Sequence, residues 1–320
     1  MSDWQPSADR AALVLRARLN ALIRAFFAER DVLEVETPLL SQHGTTDRHI
    51  DSFAVPAGEG RAPRWLRTSP EFALKRLLAA GVGDCYELGR VFRYGEAGRR
   101  HNPEFSMLEW YRVGWDHQRL MGEVAELVQT ALALVGREVR PVRQSYRDLF
   151  RQQLQIDPWH AGVEQLQSVM DGFAIRAEGL EHGDWLDLIF SHRLQPGFAV
   201  DELRLIYDFP ASHCALARLR REGECLVAER FEAFLGPVEL ANGYHELLDA
   251  DEQAARFAAD VDWRQRHARP GPPADALLLA ALRSGLPSCA GVALGVDRLL
   301  AALLDGRDLP GVLAFDWHRA

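Results

Sequence analysis

The segment from Glu87 to Arg112 constrains the fold more than any other part of the chain. It indicates two short strands joined by a charged loop, with Arg93 ending the first strand and Phe105 opening the second. Because side chains alternate between the two faces of a strand, every second residue after Phe105 shares its face. These residues are Met107, Glu109 and Tyr111. A strand face with an aromatic ring, a carboxylate and a phenol predicts a surface that holds a flat group and a cation.

Composition and charge narrow the class of protein. The chain has 320 residues, of which 48% are apolar and 26% charged, as in an ordinary globular protein. A net charge of −9 argues against broad nucleic-acid binding, which needs clustered Lys and Arg, but it allows a local basic groove. The four cysteines show no CxxC spacing, which favours buried thiols in a reducing compartment. No secretory signal and no apolar run of about 20 residues occurs. We therefore expect a cytoplasmic protein that does not enter a membrane.

Hydrophobic periodicity predicts two groups of strands separated by a helical block. Helices are predicted at about 9–30, after Ser69-Pro70, at about 117–134 and 251–267, and after the strand that leads into 291–298. Strands are predicted at 32–35, in the segment described above, and at 203–208, 224–235 and 238–246. This order predicts an α+β fold with a largely antiparallel sheet flanked by helices. We expect a single domain over 1–320, with a helical insertion at approximately 139–195.

Three glutamates, Glu232, Glu239 and Glu246, are spaced by seven. A heptad on a helix is disfavoured by Gly236-Pro237 and Asn242-Gly243, so we predict a hairpin that turns at about Gly236. Glu232 and Glu239 then lie near each other, where like charges need a cation such as Mg²⁺ with bound phosphates. A bulge at Asn242-Gly243 would return Glu246 to the same face. The alternative is an ordinary solvated strand.

The histidines carry no recognisable metal-ligand spacing, and we expect them to be structural or exposed. Those concerned are His43, His49, His117, His160, His182, His192, His213, His245, His267 and His318.

Five motifs occur in order along the chain. They are VLEVETPLL (32–40) after a long helix, RTSPEFALKRLL (67–78), VFRYGEAGRRHNPEFSMLEWYR (91–112), ELANGYHELLDADEQAARF (239–257) and GVALGVDRLL (291–300). Together they resemble the catalytic domain of class II aminoacyl-tRNA synthetases of the lysyl type. The resemblance is closer still to the free-standing branch of that family, whose members attach (R)-β-lysine to elongation factor P. It covers nearly the whole chain.

The resemblance implies sites for ATP and Mg²⁺. Arg93 would be the catalytic residue, binding the α-phosphate and the attacking carboxylate and stabilising the charge that develops there. Phe105 would be the platform for adenine, with Arg298 on the other side of the base. Glu232 and Glu239 would hold Mg²⁺ with ATP. The remaining residues implied at the nucleotide are Gly95, His101, Asn102, Leu240 and Gly295.

A site for a diamino acid is also implied. Two ammonium groups in a partly dry pocket need several carboxylates and a hydroxyl. The residues implied are Ser69, Glu71, Glu109, Tyr111, Glu246 and Ala293. Two positions depart from lysyl-tRNA synthetases: Gly95 stands where a Glu is usual, with Glu96 next to it, and Ala293 stands where they have Gly. One methyl group in such a pocket is worth about 1–3 kcal/mol of discrimination, so Ala293 would disfavour α-lysine.

The resemblance implies an ATP-dependent ligase that activates (R)-β-lysine, or lysine, and transfers it to the ε-amine of a lysine on elongation factor P. The first motif begins within about ten residues of the start, so we expect no anticodon-binding barrel and no tRNA substrate. The first motif helix implies a homodimer. Two alternatives stay open: residual lysyl-tRNA synthetase activity, and a non-catalytic paralogue that binds an amino acid.

Overall fold

The computed structural model describes residues 4–269 and 271–320. Their contacts divide into two compact units. Unit 1 is formed by the described residues of Met1–Trp115 and Leu248–Ala320, and unit 2 by Asp116–Leu247. The helical segment expected at 139–195 lies within unit 2.

The helices of unit 1 lie at both ends of the chain and those of unit 2 in its middle. The α-helices are α1 (Arg10–Ala28), α2 (Glu71–Ala79), α3 (His117–Ala133), α4 (Tyr146–Leu154), α5 (Val163–Val169), α6 (His182–Ile189), α7 (Ala250–Arg266), α8 (Ala276–Gly285) and α9 (Val296–Leu303). The strands are β1 (Leu33–Glu34), β2 (Leu40–Ser41), β3 (Ala54–Val55), β4 (Arg64–Leu66), β5 (Cys85–Phe92), β6 (Glu104–Val113), β7 (Arg140–Ser145), β8 (Glu202–Pro210), β9 (Leu219–Glu222), β10 (Cys225–Leu235), β11 (Val238–His245) and β12 (Cys289–Gly295).

In unit 1, β6 is the centre of the sheet that positions the candidate site. It pairs antiparallel with β5 on one side and with β12 on the other. The short β1 adds to β5 in parallel, and β2, β4 and β3 form a separate small antiparallel sheet. Helix α1 begins at its cap Asp9, whose side chain accepts a hydrogen bond from the Ala12 amide. Its apolar stripe is buried, and Phe27 stacks on Tyr86 of β5 with ring centroids 4.4 Å apart.

In unit 2, β10 is the central strand. It pairs antiparallel with β8, β9 and β11, and β7 lies parallel to β8. Helices α4 to α6 pack an aromatic core against this sheet, in which Tyr146 stacks on Phe150 at 4.6 Å and on Phe190 at 5.6 Å. Each such ring buries about 150–250 Å², so these aromatic side chains contribute strongly to the core of this unit. The segment 139–195 is therefore a packed layer whose inner face is apolar.

The predicted α+β class with mostly antiparallel pairing is confirmed. The predicted long helices and the strands of the opening segment occur within a few residues of the expected bounds. Sequence reasoning did not predict β7, the small sheet or α8. Short strands of two or three residues carry too few side chains to show a period. Across the described residues, no helix combines the length and the apolar character that crossing a lipid bilayer requires.

Candidate active site

In unit 1, the carboxylate of Glu109 is fixed by two hydroxyl groups. Ser69 Oγ donates to Glu109 Oε2 over 2.6 Å, and Tyr111 Oη donates to Oε1 over 2.9 Å. Glu109 is only 2% exposed, so these bonds form where little water competes. Tyr111 stands two positions after Glu109 on β6, as the predicted alternation requires.

The neighbours of Glu109 follow from strand register. Glu87 of β5 and Ala293 of β12 lie directly opposite Glu109 on either side. Directly opposed residues of antiparallel strands place their side chains on the same face. The Ala293 methyl group is therefore on the face that carries the Glu109 carboxylate. The same face of β6 contains Tyr111. We call this face, with Ser69 and Glu71, the carboxylate cradle.

Two basic residues are built into the cradle. Lys75, which is 2% exposed, places Nζ 2.6 Å from Glu71 Oε1 one helical turn earlier on α2. Arg67 places Nη1 2.7 Å from Glu87 Oε1. With Glu109 included, the three carboxylates exceed the two cations, which leaves one formal negative charge. This negative charge also affects a thiol on the neighbouring strand.

That thiol belongs to Cys85, which lies opposite Tyr111. Burial, and then the charges of Asp84, Glu109 and Glu87, raise the pKa of Cys85 to about 12. The thiol is therefore neutral at pH 7 and is a poor nucleophile. The same field that disfavours a thiolate favours an ammonium ion. The electrostatics of the cradle thus suit a cationic ligand.

A second group of predicted residues surrounds the loop between β5 and β6. The guanidinium carbon of Arg93 lies 5.1 Å from the centroid of the Phe105 ring. Arg93 Nη1 is 3.8 Å from Glu96 Oε1, which is a loose ion pair, and its Nε is buried without a hydrogen-bond partner among the described residues. A guanidinium with unused donors and a charge only loosely balanced is suited to an anionic ligand.

The other predicted nucleotide residues of unit 1 have protein partners. Arg298 Nη2 lies 2.9 Å from His101 Nε2, so Arg298 contacts the loop. The Asn102 side chain donates to the Glu104 carbonyl at 2.6 Å and accepts from the Trp317 amide at 3.0 Å. Gly295 caps α9, where a Cβ would meet Arg298 side-chain carbons at ordinary contact distances of 3.7–3.9 Å. The protein itself therefore leaves room beside Gly295.

Gly95 adopts a left-handed backbone conformation with φ +81°. A glutamate there would be strained, because L side chains rarely adopt that region. The acid of this loop is instead Glu96, which faces Arg93 across the 3.8 Å already described. The loop of this chain thus presents its carboxylate one residue later than the usual family pattern.

In unit 2, Glu232 and Glu239 interact as predicted. The hairpin turns at Gly236-Pro237, and Glu239 lies opposite Phe234, two positions after Glu232 and on its face. Burial raises the pKa of Glu232, Arg230 opposes this, and the charges of Glu239 and Asp187 raise it further. Arg230 pairs directly with Glu232. The repulsion expected from the spacing of the glutamates is therefore present, with one protein cation partly offsetting it.

The predicted bulge is in a different place. It was expected at Asn242-Gly243, but Ala241 pairs with Ala233 and Glu239 with Phe234, so Leu240 is the extra residue. Asn242 instead pairs regularly with Glu232, because its side chain bonds Arg230 at 3.1 Å and holds the ladder closed. A bulge at Leu240 changes the parity between Glu239 and Glu246 just as the predicted one would. Glu246 is fully buried and forms an isolated bridge with Ala217.

Sequence reasoning missed several charged partners of these residues. Lys75 carried a signal, since a base four residues after Glu71 on a helix forms an ion pair. Arg67 lies in one of the motifs and Arg230 lies close to Glu232 in the sequence. Their pairing with Glu87 and Glu232 depends on strand register, which a single segment does not reveal. The assignments of individual residues to ATP, metal or amino acid stay predictions.

Comparison with known proteins identifies the family. A family model described as tRNA synthetases class II (D, K and N) matches residues 2–318. A relative from Yersinia enterocolitica, named elongation factor P–(R)-β-lysine ligase, is 45% identical over 100% of this chain and 99% of its own length. Relatives of the same name from Mannheimia succiniciproducens (45%; 99% and 98%) and Yersinia pestis (46%; 98% of each chain) are similar throughout. This chain belongs to the family that this model describes, the class II tRNA synthetases (D, K and N).

Proposed function

We propose that this protein activates (R)-β-lysine with ATP and transfers the β-lysyl group to the ε-amine of a lysine on elongation factor P. The observation that carries the proposal is the carboxylate cradle. In it, a buried Glu109 is fixed by Ser69 and Tyr111, and the Ala293 methyl lies across from it. The names of relatives that align over the full chain supply the acceptor and favour this function over tRNA charging.

The cradle accounts for recognition of a diamino acid. An ammonium group removed from water requires charged or strongly polar partners, and Glu109 is a buried carboxylate that two hydroxyl groups orient. The formal negative charge of the cradle is balanced by the first ammonium group of the substrate. We assign the second ammonium group to Glu71. Because Lys75 already pairs with Glu71, a substrate amine there would share that carboxylate with a protein cation.

Activation forms a mixed anhydride. A carboxylate oxygen of β-lysine attacks the α-phosphorus of ATP, and the bond to the bridging oxygen breaks, so that pyrophosphate leaves and β-lysyl-adenylate forms. Negative charge accumulates on the α-phosphate oxygens in the transition state. Arg93, with a buried Nε that has no protein partner, stabilises that charge. Phe105 offers a ring face on which adenine stacks.

Glu232 and Glu239 fit a magnesium ion. Both supply carboxylate oxygens, the ligand type that Mg²⁺ prefers. Burial raises the pKa of Glu232, Arg230 lowers it, and the nearby charges of Glu239 and Asp187 raise it further. Bound Mg²⁺ neutralises phosphate charge. The Arg230 guanidinium next to Glu232 limits the negative charge of the pair, so we expect the ion to depend on the phosphates of ATP for tight binding.

Transfer needs no protein nucleophile. The deprotonated ε-amine of the acceptor lysine attacks the carbonyl carbon of the adenylate, an amide bond forms, and AMP leaves with the bonding electron pair. The amine proton goes to solvent or to the departing phosphate. Holding the two reactants together supplies several kcal/mol of the barrier reduction.

The assembly we propose is a homodimer that acts in the cytoplasm, where its translation-factor acceptor works. Large apolar side chains remain exposed on α1 and in the segment after it, which supports a subunit interface there. They are Val14, Leu33, Leu39 and Leu40.

The test is ATP–pyrophosphate exchange with purified protein, using (R)-β-lysine and α-lysine in parallel, followed by the intact mass of elongation factor P. We expect exchange that prefers (R)-β-lysine, and a mass gain of one β-lysyl group that is lost when the acceptor lysine is replaced by arginine. Exchange with no mass gain on the factor, but with charging of tRNA, would refute the proposed acceptor. Absence of exchange with either amino acid would refute the activation chemistry.

A further inference from the structure

A cluster of two histidines and one glutamate lies in unit 2, and none of its members is among the residues assigned to ATP, Mg²⁺ or the amino acid. One ring nitrogen of His117, one of His245 and one oxygen of Glu229 all lie within 4.8 Å of one another. They come from the start of α3, the end of β11 and the middle of β10. Convergence of three such groups from three elements is the arrangement by which proteins bind transition metals.

His117 provides a second, independent observation. It is 3% exposed, and its Nδ1 is buried with no hydrogen-bond partner among the described residues. A buried polar atom without a partner costs about 1–3 kcal/mol, so proteins rarely leave one without a role. The other ring nitrogen, Nε2, lies 3.0 Å from Asp208 Oδ1.

The His117–Asp208 contact matches the support that metal-binding histidines receive. Such a histidine usually donates one ring N–H to a carboxylate, which fixes the tautomer and leaves the lone pair of the other nitrogen for the metal. His117 Nε2 also lies 3.3 Å from the Gln118 side-chain nitrogen. In the tautomer that donates Nε2–H to Asp208, the lone pair of His117 is on Nδ1, the atom with no hydrogen-bond partner among the described residues.

Strand geometry brings the acidic residues into place. Ala228 pairs with Phe209 and Phe231 with Tyr207, so two residues of β10, Glu229 and Arg230, face one residue of β8. That residue is Asp208, which has φ +60°. A bulge of this kind redirects side chains, and a non-glycine residue in that conformation is uncommon. On the other side of β10, the Arg218 backbone lies between Glu229 and His245. The Glu229 amide donates to the Arg218 carbonyl at 2.9 Å, and the Arg218 amide donates to the His245 carbonyl at 2.8 Å.

The charged side chains around the cluster favour binding of a cation, but one of these side chains is itself a cation. His245 Nδ1 and Glu229 Oε2 lie 2.6 Å apart. Glu229 and Asp208 bring two carboxylates to the cluster. Arg220 pairs with Asp208 and lies 3.5 Å from Glu229 Oε1. The positive charge of Arg220 therefore lies next to the proposed site, and a metal ion would have to bind beside it.

We propose that His117 Nδ1, His245 and Glu229 form a binding site for a zinc ion, supported by the hydrogen bond from His117 to Asp208. Two imidazoles and one carboxylate suit Zn²⁺ rather than Mg²⁺, which prefers oxygen ligands alone. The three groups leave a fourth tetrahedral position for water. Tetrahedral ligand atoms lie about 3.3 Å apart for bonds of about 2.0 Å, so groups that lie within 4.8 Å of one another would move closer to hold an ion.

This site is distinct from the carboxylates assigned to ATP and Mg²⁺. Glu229 lies at the bulge of β10 and contacts His245 and Arg220. Glu232 is on the face of Arg230, with which it pairs. The zinc site holds α3 against β10 and β11, and binding there should stabilise unit 2.

The test is calorimetric titration of Zn²⁺ into the tag-free full-length protein after removal of metals, with Mg²⁺ and ATP present in the buffer. We expect one Zn²⁺ per chain and a higher melting temperature when it binds. His117→Gln and Asp208→Asn should each weaken binding by about 10–100-fold. The matched control is His192→Gln, which alters an exposed histidine of the same unit and should leave affinity unchanged.

A second measurement covers the case in which a variant fails to fold. Co²⁺ added to the wild-type protein should give the intense visible absorption of a tetrahedral site, and Zn²⁺ should abolish it at one equivalent. Wild-type affinity in His117→Gln, no saturable site near one equivalent, or competition by ATP and Mg²⁺ would each overturn the proposal.

Discussion

Replacing Ala293 by glycine tests the specificity assigned to the cradle. Ala293 lies directly opposite Glu109, and its Cβ is the one group that the substitution removes from that face. One methyl group in a substrate pocket is worth about 1–3 kcal/mol of discrimination, or about 5–150-fold. We expect Ala293→Gly to raise kcat/KM for α-lysine relative to (R)-β-lysine within that range.

The substitution also affects stability, so a control is required. Glycine in a strand costs about 0.5–1 kcal/mol relative to alanine, and loss of the buried part of a methyl group adds up to about 0.8 kcal/mol. Ala290 lies on the same strand, opposite Arg112, and points to the other face. Ala290→Gly should carry a similar loss of stability without any change in the preference between the two amino acids.

The assay is ATP–pyrophosphate exchange at saturating ATP, with kcat/KM measured for both amino acids on the wild type and both variants. An unchanged ratio in Ala293→Gly would remove this methyl group from the specificity argument. An equal change in Ala290→Gly would show that the effect comes from loosening β12 and not from the shape of the cradle.

Three further outcomes are expected. Arg93→Ala should abolish adenylate formation and leave the circular dichroism spectrum unchanged; near-normal exchange would contradict the role of Arg93 at the α-phosphate. Because the pKa of Glu232 is raised above its ordinary 4.5, protonation will compete with Mg²⁺ at a higher pH than for an ordinary glutamate. The Mg²⁺ concentration for half-maximal exchange should therefore rise as pH falls from neutral towards 4.5, and a flat profile would refute this. Burial alone would raise the pKa of Asp157, but hydrogen bonds from Arg147, His160, the Trp159 amide and Arg151 lower it below its ordinary 3.8, so the carboxylate stabilises the fold above pH 3.8 and less as pH falls below it. Asp157→Asn should lower the free energy of unfolding by about 1–3 kcal/mol at pH 7, and equal chemical denaturation midpoints would contradict that.

Local patterns were sufficient for the part of the site on β6. Alternation along a single strand placed Glu109 and Tyr111 together, and the structure joins them by a 2.9 Å hydrogen bond. Helical spacing likewise predicted α1, because its buried stripe comes from one continuous segment. In both cases the geometry is set within about ten residues, where the period of the backbone decides which side chains meet.

Patterns that depend on register between strands were harder to predict. The bulge on β11 was placed at Asn242-Gly243, since glycine tolerates irregular backbone, yet it lies at Leu240. In the structure Asn242 accepts a hydrogen bond from Arg230 of β10 at 3.1 Å and donates one to Tyr244 Oη at 2.9 Å. The Arg230 partner comes from the neighbouring strand, which the sequence of β11 alone does not encode.

The histidine cluster was the part of the structure that could be predicted least from the sequence. His117 and Asp208 are 91 positions apart and still form a 3.0 Å contact, so no spacing rule would connect them. The contact depends on a bulge in which two residues of β10 face Asp208. Asp208 lies opposite that bulge, so its position relative to α3 is set by the pairing of distant strands and not by local sequence spacing. The bulge and the buried His117 Nδ1, which has no hydrogen-bond partner among the described residues, both lower the stability of this region. A ligand that binds Nδ1 would therefore raise the stability of unit 2. The size of the Zn²⁺-dependent rise in melting temperature is therefore the most direct measure of whether this irregularity exists to hold a metal.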